Sequence, residues 1–257
     1  MKRGRVMLLT GLPAGVGVST AGLALADALC AQSRSVLLVA PLAAVGGLLR
    51  QGGQVRHVMS ATLVECAGGL VVAPLELCVE DQLPQLLPLL AMETDMVLVD
   101  RFTGLRVAGN PWQRVADEAL LVVDGRPGMD IRSLLLAHHL GRHWPHRPLH
   151  LLHTCMGEGH NPDRAPASFR HRLEQRGLQP ALDLGCLPED PSIARASRDG
   201  VPFTRMFPNH PASRRLRQAA RSLMGYTPAL PLDGERRPHL EPHAMLPHMA
   251  IQPREDF

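Results

Sequence analysis

The segment from Arg5 to Ala31 constrains this chain most. An apolar run, Arg5 to Thr10, enters the loop Gly11-Leu12-Pro13-Ala14-Gly15-Val16-Gly17-Val18-Ser19-Thr20, and a helical pattern from Ser19 to Ala31 follows at once. Glycines in such a loop let backbone N–H groups close on an anion, and the helix N-terminus adds a positive dipole. The loop therefore has the outline of a phosphate-binding turn at the carboxyl edge of a sheet. Its charge is missing. The usual lysine near the outer phosphates is replaced by Val18, and the only lysine in the chain is Lys2, ahead of the first strand. The chain has 27 Lys plus Arg, all but one of them Arg, so arginine was available and still does not occupy position 18. The alternative reading of the loop is a tight strand-to-helix turn with no ligand.

Apolar runs alternate with helical periodicity along the rest of the chain. Strands are expected at Val36–Val39, Gly69–Ala73, Met96–Asp100, Ala119–Asp124, Leu149–Thr154 and Leu182–Cys186. Helices are expected at Val55–Cys66, Glu80–Met92 (broken near its two prolines), Asp130–Leu140 (Asp130 near the cap), Ser168–Arg176 and Pro211–Met224. Continuous apolar strands separated by helices predict an α/β fold: a doubly wound, mostly parallel sheet with helices on both faces. Ligands of such sheets bind at the carboxyl ends of the strands, where the glycine loop and Asp100 both fall. Residues 1–225 read as one domain. Residues 226–257 carry many prolines, three histidines and no apolar periodicity, and read as a disordered tail.

Composition removes several classes of function. A net charge of +3 with His neutral is too mild to indicate a nucleic-acid partner. The scattered cysteines Cys30, Cys66, Cys78, Cys155 and Cys186 form no CxxC pair and read as buried thiols in a reducing cytosol. The sequence enters its first strand directly with no h-region, so no leader is expected, and no apolar run reaches the roughly 20 residues that span a bilayer. The histidines His138 to His153 cross a helix end, a turn and a strand, and so do not converge as zinc ligands must. No nucleophile elbow supports a hydrolase.

With those residues in view, the chain resembles the MinD/ParA family of deviant phosphate-loop ATPases, whose loop reads approximately Lys-Gly-Gly-Val-Gly-Lys-Ser/Thr-Thr. Gly15, Val16, Gly17, Ser19 and Thr20 match it; Pro13 and Val18 stand where the family has its two lysines, and Ala14 where it has its first glycine. The family's Asp-x-Asp after the second strand is replaced by Val39-Ala40-Pro41-Leu42, whereas the strand ending at Asp100 keeps its acid. Asp100 otherwise reads as an acid capping a neighbouring loop. The resemblance implies a nucleotide site at Gly15, Val16, Gly17, Val18, Ser19 and Thr20, with His153 at the adenine-reading position and Pro188 beside it. A metal would be held by Ser19 and Asp100, and the cofactors would be ATP and Mg2+. With both lysines and both acids replaced, the expectation is a pseudo-ATPase with no catalytic residues and weak or absent nucleotide binding. A residual ATPase that borrows a cation, Arg101 or Arg126, from a dimer partner is the rival.

Later residues refine the resemblance. Gly185 to Asp190, then Ile193-Ala194-Arg195-Ala196, Val201-Pro202, Phe207-Pro208 and Pro211-Ala212-Ser213 before the last helix follow an order similar to the FleN/FlhG flagellar-number regulators. The loop Gly15 to Thr20 is also similar to that of the cellulose-synthesis accessory protein BcsQ (YhjQ), which lacks the second lysine. The implied partners are a flagellar or secretion-related protein and a second copy of the chain, with a cytoplasmic location at or near the cell pole or inner membrane. The basic face of the last helix (Arg214, Arg215, Arg217, Arg221) reads as solvated, with membrane docking the less favoured alternative.

Overall fold

The protein, seen here in a computed structural model, is described over residues 3–79, 82–100, 111–126, 130–156 and 164–227. Its strands are β1 (Arg5–Leu12), β2 (Val36–Ala40), β3 (Gly53–Val58), β4 (Ala61–Cys66), β5 (Leu70–Pro74), β6 (Met96–Asp100), β7 (Glu118–Asp124), β8 (Leu149–Met156) and β9 (Leu182–Pro188). They form one sheet in the order β3-β4-β5-β2-β6-β1-β7-β8-β9. Every pairing is parallel except those that β4 makes with β3 and β5. The central strands β2, β6 and β7 are buried along their whole length, which is why they appear in the sequence as unbroken apolar runs rather than alternations.

Helices cover both faces. One core lies under α1 (Val18–Cys30), α2 (Leu42–Arg50), α7 (Pro191–Asp199), α8 (Phe203–Met206) and α9 (Pro211–Gly225). The other lies under α3 (Leu83–Leu90), α4 (Pro111–Val115), α5 (Asp130–His143) and α6 (Arg164–Glu174). The doubly wound α/β expectation therefore holds. Connections leave β1 toward β2 on one side, while β6 leads to β7 on the other, so the order of the sheet reverses at β1. The crevice at such a reversal is where open α/β sheets bind ligands.

The segment 55–66 is a hairpin, β3 and β4, and not the helix expected from the sequence. Val55, Val58, Thr62 and Val64 favour strand, but the turn lacks the glycine or asparagine that marks hairpins. Met59 takes the left-handed conformation at φ 53° instead. Residues 83–90 stay helical through Pro88, with Pro84 in the first turn where proline is tolerated. Helix α2 was not anticipated, because Gly46-Gly47 weakens its pattern. The reason for Gly47 is tertiary: a Cβ there would lie 1.5 Å from the Asp199 carbonyl oxygen, and Leu48 N donates to Gly200 O at 2.9 Å. The backbones of α2 and α7 touch.

At the opposite edge from the glycine loop, Glu118 is buried between Arg5 (3.2 Å) and His150 (3.0 Å). Arg5 also donates to the carbonyls of Leu223 and Tyr226, tying the end of α9 to the sheet. The apolar side of α9 (Leu216, Ala219, Ala220, Leu223) is spent on the core against α1 and β9, and Arg215 donates to Cys186 O. The compact unit that these elements form runs to Thr227 and so includes the first two residues of the expected tail 226–257; the rest of that tail, from residue 228 onward, lies outside the described residues.

Burial holds Cys30 up at about 12 and raises Cys66 and Cys78 as well, so these thiols are inert apolar filling at neutral pH. Because the α2–α7 contact leaves no room for a methyl group, Gly47→Ala should lower unfolding free energy by about 1–3 kcal/mol, read from urea denaturation. The same change at Gly52, which has no atom near its would-be Cβ but a positive φ, should cost only the backbone strain of about 1 kcal/mol.

Candidate functional site

The site is built at the carboxyl end of β1. Register places Leu9 beside Asp100 of β6 and Leu12 beside Val123 of β7. The chain then turns through Pro13 to Gly17 into α1. Gly15 (φ 85°) and Gly17 (φ 96°) take left-handed conformations, and Gly17 is the residue from which α1 starts. Glycine pays no steric cost there.

Side chains from neighbouring elements hold the loop by its carbonyls. Thr154 Oγ1, at the end of β8, donates to Val16 O at 2.5 Å, and Ser133 Oγ of α5 donates to Leu12 O at 3.1 Å. Val16 N closes the turn on Pro13 O, and Ala21 N takes Gly17 O. The exposed rim of the loop is Ala14 and Gly15, and the space around Gly15 is open. Neither Thr154 nor Ser133 was singled out from the sequence. The signal for Thr154 is a polar residue near the end of an apolar strand, opposite Asp124 in the sheet register.

Val16 and Val18 turn inward. Both are buried, and a Cβ on Gly11 would lie 2.7 Å from Val16 Cγ1 and 2.9 Å from Val18 Cγ2. The position that would carry a phosphate-gripping ammonium is thus part of the hydrophobic core under α1. Thr20 Oγ1 donates to Ser197 Oγ of α7 at 2.9 Å, joining the loop helix to α7.

Beside the loop, the Ser19 side chain hydrogen-bonds Asp100. Asp100 is 3% exposed, and its Oδ2 has no hydrogen-bond partner. Burial pushes its carboxyl up to about 6, with the Ser19 bond partly opposing the rise. A buried, half-satisfied carboxylate next to a hydroxyl is an oxygen donor set that suits a hard divalent cation keeping several waters. Ser19 and Asp100 therefore fit Mg2+. The same edge offers a triphosphate backbone donors and a helix dipole, but Val18 offers it no charge.

The remaining expected residues are spread out. His153 is buried on the opposite face of the sheet from α1, edge-on to Phe169 of α6 with ring centroids 5.6 Å apart, and its Nε2 is unpartnered. Burial lowers its imidazole to about 4, so it is neutral. Pro188 ends β9, two strands beyond β7. Just after it, Asp190 caps α7 through Ser192 N (2.7 Å) and meets His210 Nε2 (3.1 Å), while His210 Nδ1 accepts from Ala212 N at the start of α9. The structure thus gathers residues 15–19 with Asp100 and Thr154, and does not bring His153 to them. Arg126 is engaged within its own chain: Asp124, itself buried, takes its Nε at 3.0 Å and its Nη2 at 2.6 Å. Arg101 lies outside the described residues. Among the described residues no cluster of three or more His, Cys, Asp or Glu could hold a metal, and no helix is long and apolar enough to cross a membrane.

The chain matches no protein-family model and no curated protein. Solved structures do match. MinD of Aquifex aeolicus superposes with a TM-score of 0.68 at 18% identity over 89% of this chain and 100% of its own. MinD of Pyrococcus horikoshii, complexed with Mg-ADP, gives 0.67 at 17% over 86% and 96%. The ParA-family ATPase of Chlorobium tepidum gives 0.58 at 16% over 86% and 99%. The fold is that of the MinD/ParA ATPases.

Two outcomes test this geometry. Thr154→Val removes the donor to a buried carbonyl and should cost about 1–3 kcal/mol of stability, whereas Thr154→Ser should cost much less in the same chemical denaturation. For Asp100 the folded carboxyl sits above the unfolded value of 3.8. The folded state therefore holds a proton that the unfolded state has lost. Stability is fully present below about pH 4 and falls as pH rises through about 6. Asp100→Asn should flatten that fall, gaining roughly 1–3 kcal/mol at pH 7.5 and nothing at pH 3.5, in melts recorded across the range.

Proposed function

We propose that this protein is a regulatory binding module built on the MinD/ParA architecture, acting through protein partners without ATP turnover. The observation that carries the reading is Val18, a core residue at the position where a phosphate-binding lysine belongs, in a fold otherwise intact around it. Removing a preorganised cation from a phosphate site costs a factor of hundreds or more, and the Asp-x-Asp positions are filled by apolar residues as well. MinD of Aquifex aeolicus is known in complex with MinC, which supports partner binding as the retained role of such a fold.

Serving flagellar number or placement is the process we favour, from the order of residues between Gly185 and the last helix. The cellulose-synthesis alternative rests on the loop Gly15 to Thr20. Flagellar or cellulose synthase genes next to this one would decide between them. A bound nucleotide would lie on the Gly15–Thr20 loop, with Mg2+ held by Ser19 and Asp100. The metal would supply positive charge there in place of the absent lysine. The chain's own contribution is the fixed loop, the Thr154 clamp and the Ser19 hydroxyl.

Calorimetric titration with Mg-ATP is expected to show no binding below millimolar concentration, and a phosphate-release assay no turnover above background. Turnover that disappears in Asp100→Ala would overturn the reading in favour of a residual ATPase.

A further inference from the structure

A second concave site lies away from the glycine loop, between α2, α7 and the turn after β5. It is a cavity of about 460 Å³, lined by Leu42, Gly46, Gly47, Arg50, Glu76 and Arg198, among others. Its size falls within the range of small-molecule sites. Its floor is glycine because the α2 and α7 backbones touch there, and Gly200 closes the corner.

The charges on its wall do not cancel. Glu76 is committed: its Oε2 accepts from Leu42 N at 2.6 Å and so caps α2. Arg50 and Arg198 have no carboxylate partner among the described residues, so neither charge is neutralised at the cavity wall. Each ends a helix, and the helix dipole accounts for a cation in the last turn. It does not account for two guanidinium groups lining the same cavity from different helices. Guanidinium groups present planar, multidentate donors that match phosphate oxygens better than point charges do. Leu42 and the glycine floor give an adjacent uncharged surface for the remainder of a ligand.

We propose that this cavity binds a small phosphate monoester of nucleoside-monophosphate size, with Arg50 and Arg198 gripping the phosphate. The site goes beyond the partner-binding reading and does not depend on it. It also touches the candidate nucleotide edge mechanically, since Ser197, next to Arg198, holds Thr20 of the loop helix.

The test uses the full chain and thermal melting with inorganic phosphate, a purine nucleoside monophosphate, the matching nucleoside and citrate, each at millimolar concentration. The monophosphate should raise Tm by about 2–5 °C, inorganic phosphate less, and the nucleoside and citrate not at all. Both side chains are exposed, so Arg50→Glu and Arg198→Glu should fold normally by circular dichroism and each abolish the rise. Arg50→Lys should restore part of it. No rise with the wild type, an equal rise with citrate, or a rise that survives both charge reversals would overturn the proposal, the last by placing the anion on the glycine loop instead.

Discussion

The hydrogen bond from Thr154 to the Val16 carbonyl ties together the parts of this molecule on which its candidate site depends. It joins β8 to the loop after β1 and fixes the direction in which the loop's peptide groups face. The Ser133 bond to Leu12 does the same from α5. A loop whose carbonyls are claimed from behind keeps its shape without a ligand. A phosphate-type turn can hold its form in this way in a chain that carries valine at position 18. Preorganisation of this kind is cheap to keep once the sheet exists, because the donors come from residues already ordered by the core.

Around that loop the chain presents buried apolar side chains. Val16 and Val18 pack onto Gly11, and the apolar run Val39-Ala40 continues where the resemblance would have carboxylates. Asp100 is the exception. It sits unpaired on one oxygen, raised in pKa and destabilising at neutral pH. A buried, half-satisfied carboxylate of this kind is a functional-site candidate. With Ser19 beside it, its chemistry suits a divalent cation.

Much of the fold was legible because burial on both faces imposes unbroken apolar runs. Strands β1, β2, β6 and β7 were placed to within a residue or two for that reason. The hairpin of β3 and β4 was not, because its turn is made by Met59 in a left-handed conformation that only the flanking strand pairing supports. Helix α2 was hidden by Gly46-Gly47, whose meaning is the contact with α7. Contacts of that kind join residues about 150 positions apart, and no local pattern encodes them. The candidate site divides in the same way: the loop and Asp100 could be read directly, whereas Thr154, Ser133 and Ser197 act through partners distant in the chain.

The sequence by itself determined the class of fold, the position of the loop and the absence of its charge, since strand burial, glycine spacing and residue identity are local properties. Only the tertiary structure decided that Val18 is core, that His153 lies on the far face of the sheet, and that Arg50 and Arg198 share one cavity. Each of those is a matter of which surfaces meet when helices are laid on a sheet. Packing fixes that, and spacing along the chain does not.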